Sequence, residues 1–419
     1  MVLQALTGRG TVLRAVTSTL ICIAALSGCA DERTVVPGPT ALEPIARDHS
    51  RAKTHASPTY HVLYNFGGYP DAEYPAAGLT NVGGTLYGTT SGGGAYSGNG
   101  TVYSITTSGA ETVVYSFKGP FASYNDGANP YSDLIDVNGA LFGTTEFGGP
   151  PGDTGTLFAV TPSGTETQLA AFPNGLGPTA GVIDMKGTLY GTTFGPYGTV
   201  YSATTTGKVN TLHQFAGGSD GAVPVAGLVD VNGTLYGTTE FGGSKNCHQS
   251  GNTGCGTVYS ITAGGQEKII HTFAGGSDGA FPIGGLVNVN GTLYGTTANG
   301  GTIGYGTIYS ITTAGTKKVL HNFAGRYAYG EDGASPRAGL VDVNGTLYGT
   351  AYAGGLWGHG ILYSITRTGG YHILHHFTCD GGTDGGYPQA RLLYLAGTLY
   401  GTTYGCGTNG YGIVFALSL

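Results

Sequence analysis

The chain has 419 residues, 80 of them glycine and 29 tyrosine, with a net charge of −7. Glycine at more than twice its ordinary share of about 7 % excludes a mainly helical protein, because each glycine inside a helix costs about 1 kcal/mol. Collagen is excluded because glycine does not recur at every third position, and 40 % apolar residues with little net charge exclude a disordered chain. An all-β protein with many turns remains.

The first 29 residues read as an export signal and stand apart from the fold. Arg9 and Arg14 form the basic start, and the apolar stretch of residues 15–26 is shorter than the ~20 residues a membrane span needs. It ends in Leu26-Ser27-Gly28-Cys29, which is similar to a bacterial lipobox, where the cysteine is lipidated and becomes the new N-terminus. The competing reading is an ordinary signal peptide that contains a cysteine. In a Gram-negative host, Ala30 after the lipidated cysteine favours the outer membrane. Residues 30–57 carry prolines and balanced charges without strand alternation, the pattern of a flexible tether. Losing Arg9 and Arg14 takes the net charge from −7 to −9, so a nucleic-acid partner is not expected.

From residue 58 onward the sequence repeats. GTLYGTT begins at Gly84, Gly187, Gly233, Gly291 and Gly397, with variants at Gly139 and Gly345. Repeats of this length are the mark of stacked or radial β units. In the fourth unit, residues 227–231, the pair Asn232-Gly233 and residues 234–239 predict a hairpin, since Asn-Gly suits the two positive-φ positions of a type I′ turn. Residues 257–262 and 268–273 supply a third and a fourth strand, and the turn Asp278 to Pro282 opens the next unit. The domain opens with an unpartnered fourth-strand pattern, residues 60–66, and closes with a third-strand pattern, residues 412–419. Pairing the two completes the last unit and closes a ring. The expected architecture is therefore all-β, one seven-bladed β-propeller of four-stranded blades over residues 58–419.

The LVDVNGTLYGTT and GTVYSIT segments resemble the GloVer (Gloeobacter/Verrucomicrobia) tandem repeats of bacterial surface proteins over essentially all of residues 60–419. That resemblance implies a propeller at the cell surface with a lipobox as one of the expected anchors, and it implies no reaction.

Cys247, Cys255, Cys379 and Cys406 remain outside the export segment. An even count in an exported chain suggests disulfides, with Cys247–Cys255 and Cys379–Cys406 both geometrically possible. A zinc site using His248 competes, but lacks a CxxC pair. Asp71, Asp126, Asp220, Asp278, Asp332 and Asp384, with Asn174, recur at the Asp-Gly-x-x-Pro turn. They read as turn-fixing acceptors, and alternatively as a ring that holds a cation. His213, His271, His321 and His375 share a strand-four position with Tyr64 and Tyr115, which suggests packing rather than acid–base work.

Function is expected where the symmetry breaks. The loops between strands two and three and between blades share one face, and on it lie Tyr96, Phe147, Phe194, Tyr197, Phe241, Tyr305, Tyr352, Trp357, Tyr404 and Tyr411, with His248 and His359. Rings on such loops suit sugars or protein partners, unless they fold back over the blade edges. Asp133 and Arg391 replace a glycine at the start of strand one, and Arg337 and Tyr131 follow a proline. Asp133, Arg337 and Arg391 suit a carboxylated or hydroxylated ligand, or an internal ion pair. The expectation is a lipid-anchored envelope protein, monomeric, that binds a glycan or a protein, with Trp357, Tyr352, His359, Tyr305, Tyr404, Arg337, Arg391 and Asp133 as candidate ligand contacts. No cofactor, metal or catalytic residue is expected. The alternative is a glycan-active lyase or hydrolase, for which the non-repeated acids Glu146, Glu240, Asp153 and Glu331 match no known motif. A purely architectural role is the third reading.

Overall fold

The structure, a computed structural model, describes residues 58–419 except 97, 121–125, 151–153, 174–176, 250–251, 326–330 and 382–383. The expected signal, Cys29 and tether lie outside the described residues, as do Asn174 and Asp153. Seven four-stranded antiparallel sheets follow one another around the propeller. The fourth blade is typical, with strands Val229–Val231, Thr234–Thr239, Thr257–Thr262 and Glu267–Thr272. Its innermost strand is shorter than the sequence suggests. Residues approaching the axis leave their own ladder, and the Ala226 carbonyl instead accepts a hydrogen bond from Thr192 of the preceding blade.

The hairpin turns follow the sequence. Asn232 and Gly233 have φ of 53° and 86°, and Asp230 accepts the Gly233 N–H at 2.7 Å. Lys186 and Ala396 adopt the same positive φ in blades three and seven. The last blade consists of Leu393–Leu395, Thr398–Thr403 and Ile413–Ser418, with Thr59–Asn65 on its outer edge. Thr59 pairs with Ser418 and Asn65 with Ile413, so the N-terminal strand completes this blade.

Strands two and three are buried on both faces, and one cross-strand pair explains much of their sequence. The glycine of LYGTT lies opposite the aromatic residue of strand three, as in Gly237 opposite Tyr259. The ring covers that glycine so closely that an added Cβ would meet Tyr259 Oη at 2.5 Å. Strand four then ends in a buried phenylalanine that packs against the same aromatic residue of the next blade. All seven contacts form: Phe66–Tyr103, Phe117–Phe158, Phe172–Tyr201, Phe215–Tyr259, Phe273–Tyr309, Phe323–Tyr363 and Phe377–Phe415, with ring centroids 4.9–5.5 Å apart.

The threonines of GTT act as fasteners. The first hydroxyl reaches the next blade's backbone: Thr89 to Ser132, Thr144 to Ala180, Thr192 to Ala226, Thr296 to Ala338 and Thr402 to Ala77. The second bonds the first threonine of strand three in blades one to five, as in Thr239–Thr257 at 2.8 Å, while in blade seven it faces Ile413. In blade six both partners change together, to Ala351 and Ile361, and an apolar contact replaces the hydroxyl pair.

The Tyr103, Tyr201, Tyr259, Tyr309 and Tyr363 hydroxyls are buried without a hydrogen-bond partner, and blades two and seven carry Phe158 and Phe415 at that position. Tyr259→Phe should therefore hold or raise stability, by up to about 1 kcal/mol. Gly237→Ala should cost several times as much, because the tyrosine ring has to move. Urea denaturation of the two variants checks this, and a destabilised Tyr259→Phe would contradict the packing described.

Candidate functional site

Two places depart from the repeat, the junctions between blades at the outer rim and the loop face near the axis. At the rim, each repeated aspartate fixes its turn as expected. Asp220 accepts the Ala216 N–H at 2.7 Å and Asp278 the Ala274 N–H at 2.8 Å. The strand-four histidines do more than pack. Nε2 of His213, His271, His321 and His375 lies within 2.9–3.3 Å of Asp220, Asp278, Asp332 and Asp384. Tyr64 and Tyr115 donate to Asp71 and Asp126 instead. Histidine and tyrosine interchange because either one supplies a donor to the same carboxylate.

A third group arrives from the following blade, from the start of its fourth strand. Lys317 contacts Asp278 at 2.9 Å, Tyr371 donates to Asp332 at 2.8 Å, and Tyr60 donates to Asp384 at 2.6 Å. Burial acts against the Asp278 carboxylate, but bonds from His271, Lys317 and the Ala274 N–H outweigh it and hold its pKa well below the usual range. Three junctions carry a glutamate at this place. Burial first, then Asp71, Asp126 and Asp220 respectively, push Glu111, Glu166 and Glu267 up to about 7. Sequence reasoning missed this position. Its signal was the strand-four opening residue changing from Glu to Lys to Tyr between otherwise similar repeats.

On the loop face the ten predicted aromatic residues divide. Tyr96, Phe147, Tyr197 and Trp357 are exposed, Trp357 the most at 53 %. The others fold back. Phe241 is buried against Phe281, Tyr404 stacks on Tyr74 at 5.2 Å, and Tyr305 packs over Gly325. His359 Nδ1 and the Tyr387 hydroxyl are 2.9 Å apart, and Tyr352 lies against Tyr387. Both disulfides form, Cys247–Cys255 and Cys379–Cys406. The first closes a turn within one loop of blade four, the second joins the loop entering blade seven to that blade's strand-two-to-three loop, and none of the four cysteines keeps a free thiol.

Near the axis the three predicted charges separate. Arg391 Nε is 3.5 Å from Asp133 Oδ2, bridging blades seven and two across Gly78, whose N–H donates to Asp133 Oδ1. Arg337 stands apart, its guanidinium 3.8 Å from the centre of the Tyr352 ring. It borders a cavity of about 330 Å³ with Val225, Glu240, Phe281, Ile283 and Ser335. Burial raises the Glu240 pKa, and the charge of Arg337 partly offsets that rise. The cavity thus sets a carboxyl group opposite a guanidinium between aliphatic and aromatic walls. In the sequence Glu240 is a non-repeated acid that matches no known motif.

The Gloeobacter/Verrucomicrobia repeat model matches residues 52–250 and 247–419. The chain belongs to that repeat family. No curated protein matches the sequence. Among solved structures, the computationally designed Ika8 protein is similar at 12 % identity and TM-score 0.46, over 84 % of this chain and 99 % of its own. BamB from Moraxella catarrhalis is similar at 11 % identity and TM-score 0.44, over 82 % of this chain and 84 % of its own. A putative gluconolactonase matches at 14 % identity and TM-score 0.38, over 63 % of this chain and 80 % of its own.

The junction glutamates make stability depend on pH. The folded pKa of Glu111, about 7, exceeds its ordinary value of 4.5, so its contribution is complete below pH 4.5 and is lost as the pH rises through 7. Its neighbours there are Asp71, Tyr64 and Tyr103. Glu111→Gln should stabilise the fold above pH 7 by on the order of 1 kcal/mol after allowing for solvent screening, read as a higher melting temperature. It should change nothing below pH 4.5. Melting curves across that range test it, and equal gains at both ends would contradict the assignment.

Proposed function

We propose that the protein is a binding protein of the bacterial envelope, anchored by a lipid on Cys29, which recognises a glycan on its loop face. The observation that carries this reading is the cavity between Glu240 and Arg337. Its volume of about 330 Å³ lies at the small end of ligand pockets and suits a single sugar ring. A carboxyl group, a guanidinium and the Ser335 hydroxyl give both acceptors and donors for sugar hydroxyls, and Val225, Ile283 and Phe281 cover the apolar face of a ring. Tyr352 supports the Arg337 guanidinium from one side, which limits the side-chain entropy lost on binding. Trp357 offers a second platform where the chain of sugars continues. Asp133 and Arg391 neutralise one another and serve the channel mouth rather than the ligand.

A glycan array with the purified protein, followed by calorimetry on the best binder, tests this reading. Arg337→Ala should weaken binding at least tenfold, in line with losing a charge-assisted contact worth about 1.5–3 kcal/mol, and Trp357→Ala should weaken longer glycans more than short ones. Binding that survives both substitutions would overturn the site, and release of cleaved sugar would replace it with a lyase or hydrolase. The anchor has its own test. Labelled palmitate should enter the wild-type chain in a bacterial host and not Cys29→Ser, which should be found outside the membrane fraction. An unlabelled wild-type chain would overturn the anchor and leave the glycan site to the first experiment.

A further inference from the structure

One blade junction brings together three side chains of the types that ligate metal ions. Between blades three and four, His213 Nε2, an Asp220 carboxylate oxygen and a Glu267 carboxylate oxygen all lie within 4.8 Å of one another. The same three positions can be compared around the ring. Between blades four and five they are His271, Asp278 and Lys317, and the Lys317 ammonium lies 2.9 Å from Asp278 Oδ1. Between blades five and six, and six and seven, Tyr371 and Tyr60 place a hydroxyl donor against the aspartate. Wherever the described junctions join histidine to aspartate, the third residue brings positive charge or a donor, except here. Glu267 brings a second carboxylate, and its Oε1 is buried without a hydrogen-bond partner.

We propose that His213, Asp220 and Glu267 bind one divalent transition-metal ion, Zn²⁺ or Mn²⁺, in the place that the Lys317 ammonium occupies at the next junction. An imidazole with two carboxylates is a borderline-to-hard donor set, suited to these ions and poorly matched to Ca²⁺ or Mg²⁺, which prefer oxygen alone. Ligand bonds of about 2.0–2.2 Å need only small side-chain rotations from the observed spacing. The Asp220 carboxylate is already oriented by the Ala216 N–H, so its position is set before metal arrives. With the His213 and Asp220 side chains 21 % and 25 % exposed, the ion can enter from solvent and keep water in its remaining positions. Bound there, it joins strand four of blade three to strand four of blade four.

The test is calorimetric titration of the metal-stripped full chain with ZnCl₂ and MnCl₂, alongside melting curves with and without metal. One equivalent should bind with a rise in melting temperature, and CaCl₂ and MgCl₂ should produce neither. Glu267→Gln and His213→Gln should each abolish the bound equivalent. Glu111→Gln, at a carboxyl pair that lacks an imidazole, should leave it intact. Glu267→Lys should lose metal binding and melt, without metal, at or above the wild type, because its ammonium reproduces the Lys317 contact. That variant separates loss of the site from loss of the fold. No saturable binding of either ion, or an equivalent that survives both Glu267→Gln and His213→Gln, would overturn the proposal.

Discussion

The contact on which the structure depends is the aromatic pair at each blade junction. A strand-four phenylalanine inserts against the strand-three aromatic of the next blade, and that aromatic in turn covers the glycine of LYGTT. One repeated motif therefore makes the interior of a blade and its bond to the neighbour at once. Burying two large rings in edge-to-face contact contributes more than area alone, and seven such contacts leave no junction to be held by loops. The threonine hydroxyls add direction, tying the start of five inner strands to the blade before them. Phe66 of the N-terminal strand supplies the seventh ring against Tyr103, so chain closure uses the same interaction as every other junction.

With the frame set by these contacts, other positions are free to vary. At six of the seven junctions the strand-four opening position sits at the rim beside a histidine or tyrosine and an aspartate, and it alternates between ammonium, hydroxyl and carboxyl. The same holds at the axis, where the residue after the loop proline is Val225, Ile283 or Arg337 in successive blades. A charged cavity arises there because Glu240 and Arg337, from blades four and six, face each other across the aliphatic residues between them.

Much of the fold was legible in the sequence because its signals are local. Asn-Gly turns and the GTLYGTT spacing depend on residues close in the chain, and the split last repeat is two local strand patterns, so blade number and closure follow from counting them. The rim and the axis were less legible because their contacts cross between blades. Lys317 reaches Asp278 from 39 residues away, and nothing near Asp278 announces it. The histidine–aspartate bonds are closer in the chain, as between His213 and Asp220, but the aspartate lies past the end of the strand, where strand patterning gives no sign of it. Loop aromatics divided into exposed and folded-back sets according to where neighbours offered a ring. Tyr404 found Tyr74 from across the closing junction, while Trp357 stayed exposed.

The measurement closest to this account is thermal and urea unfolding of Phe66→Ala beside Phe215→Ala. If the closing junction is held like the others, both should lose about 3–5 kcal/mol and unfold in a single transition. A Phe66→Ala protein as stable as the wild type, or one whose N-terminal strand releases while the remainder melts unchanged, would contradict it.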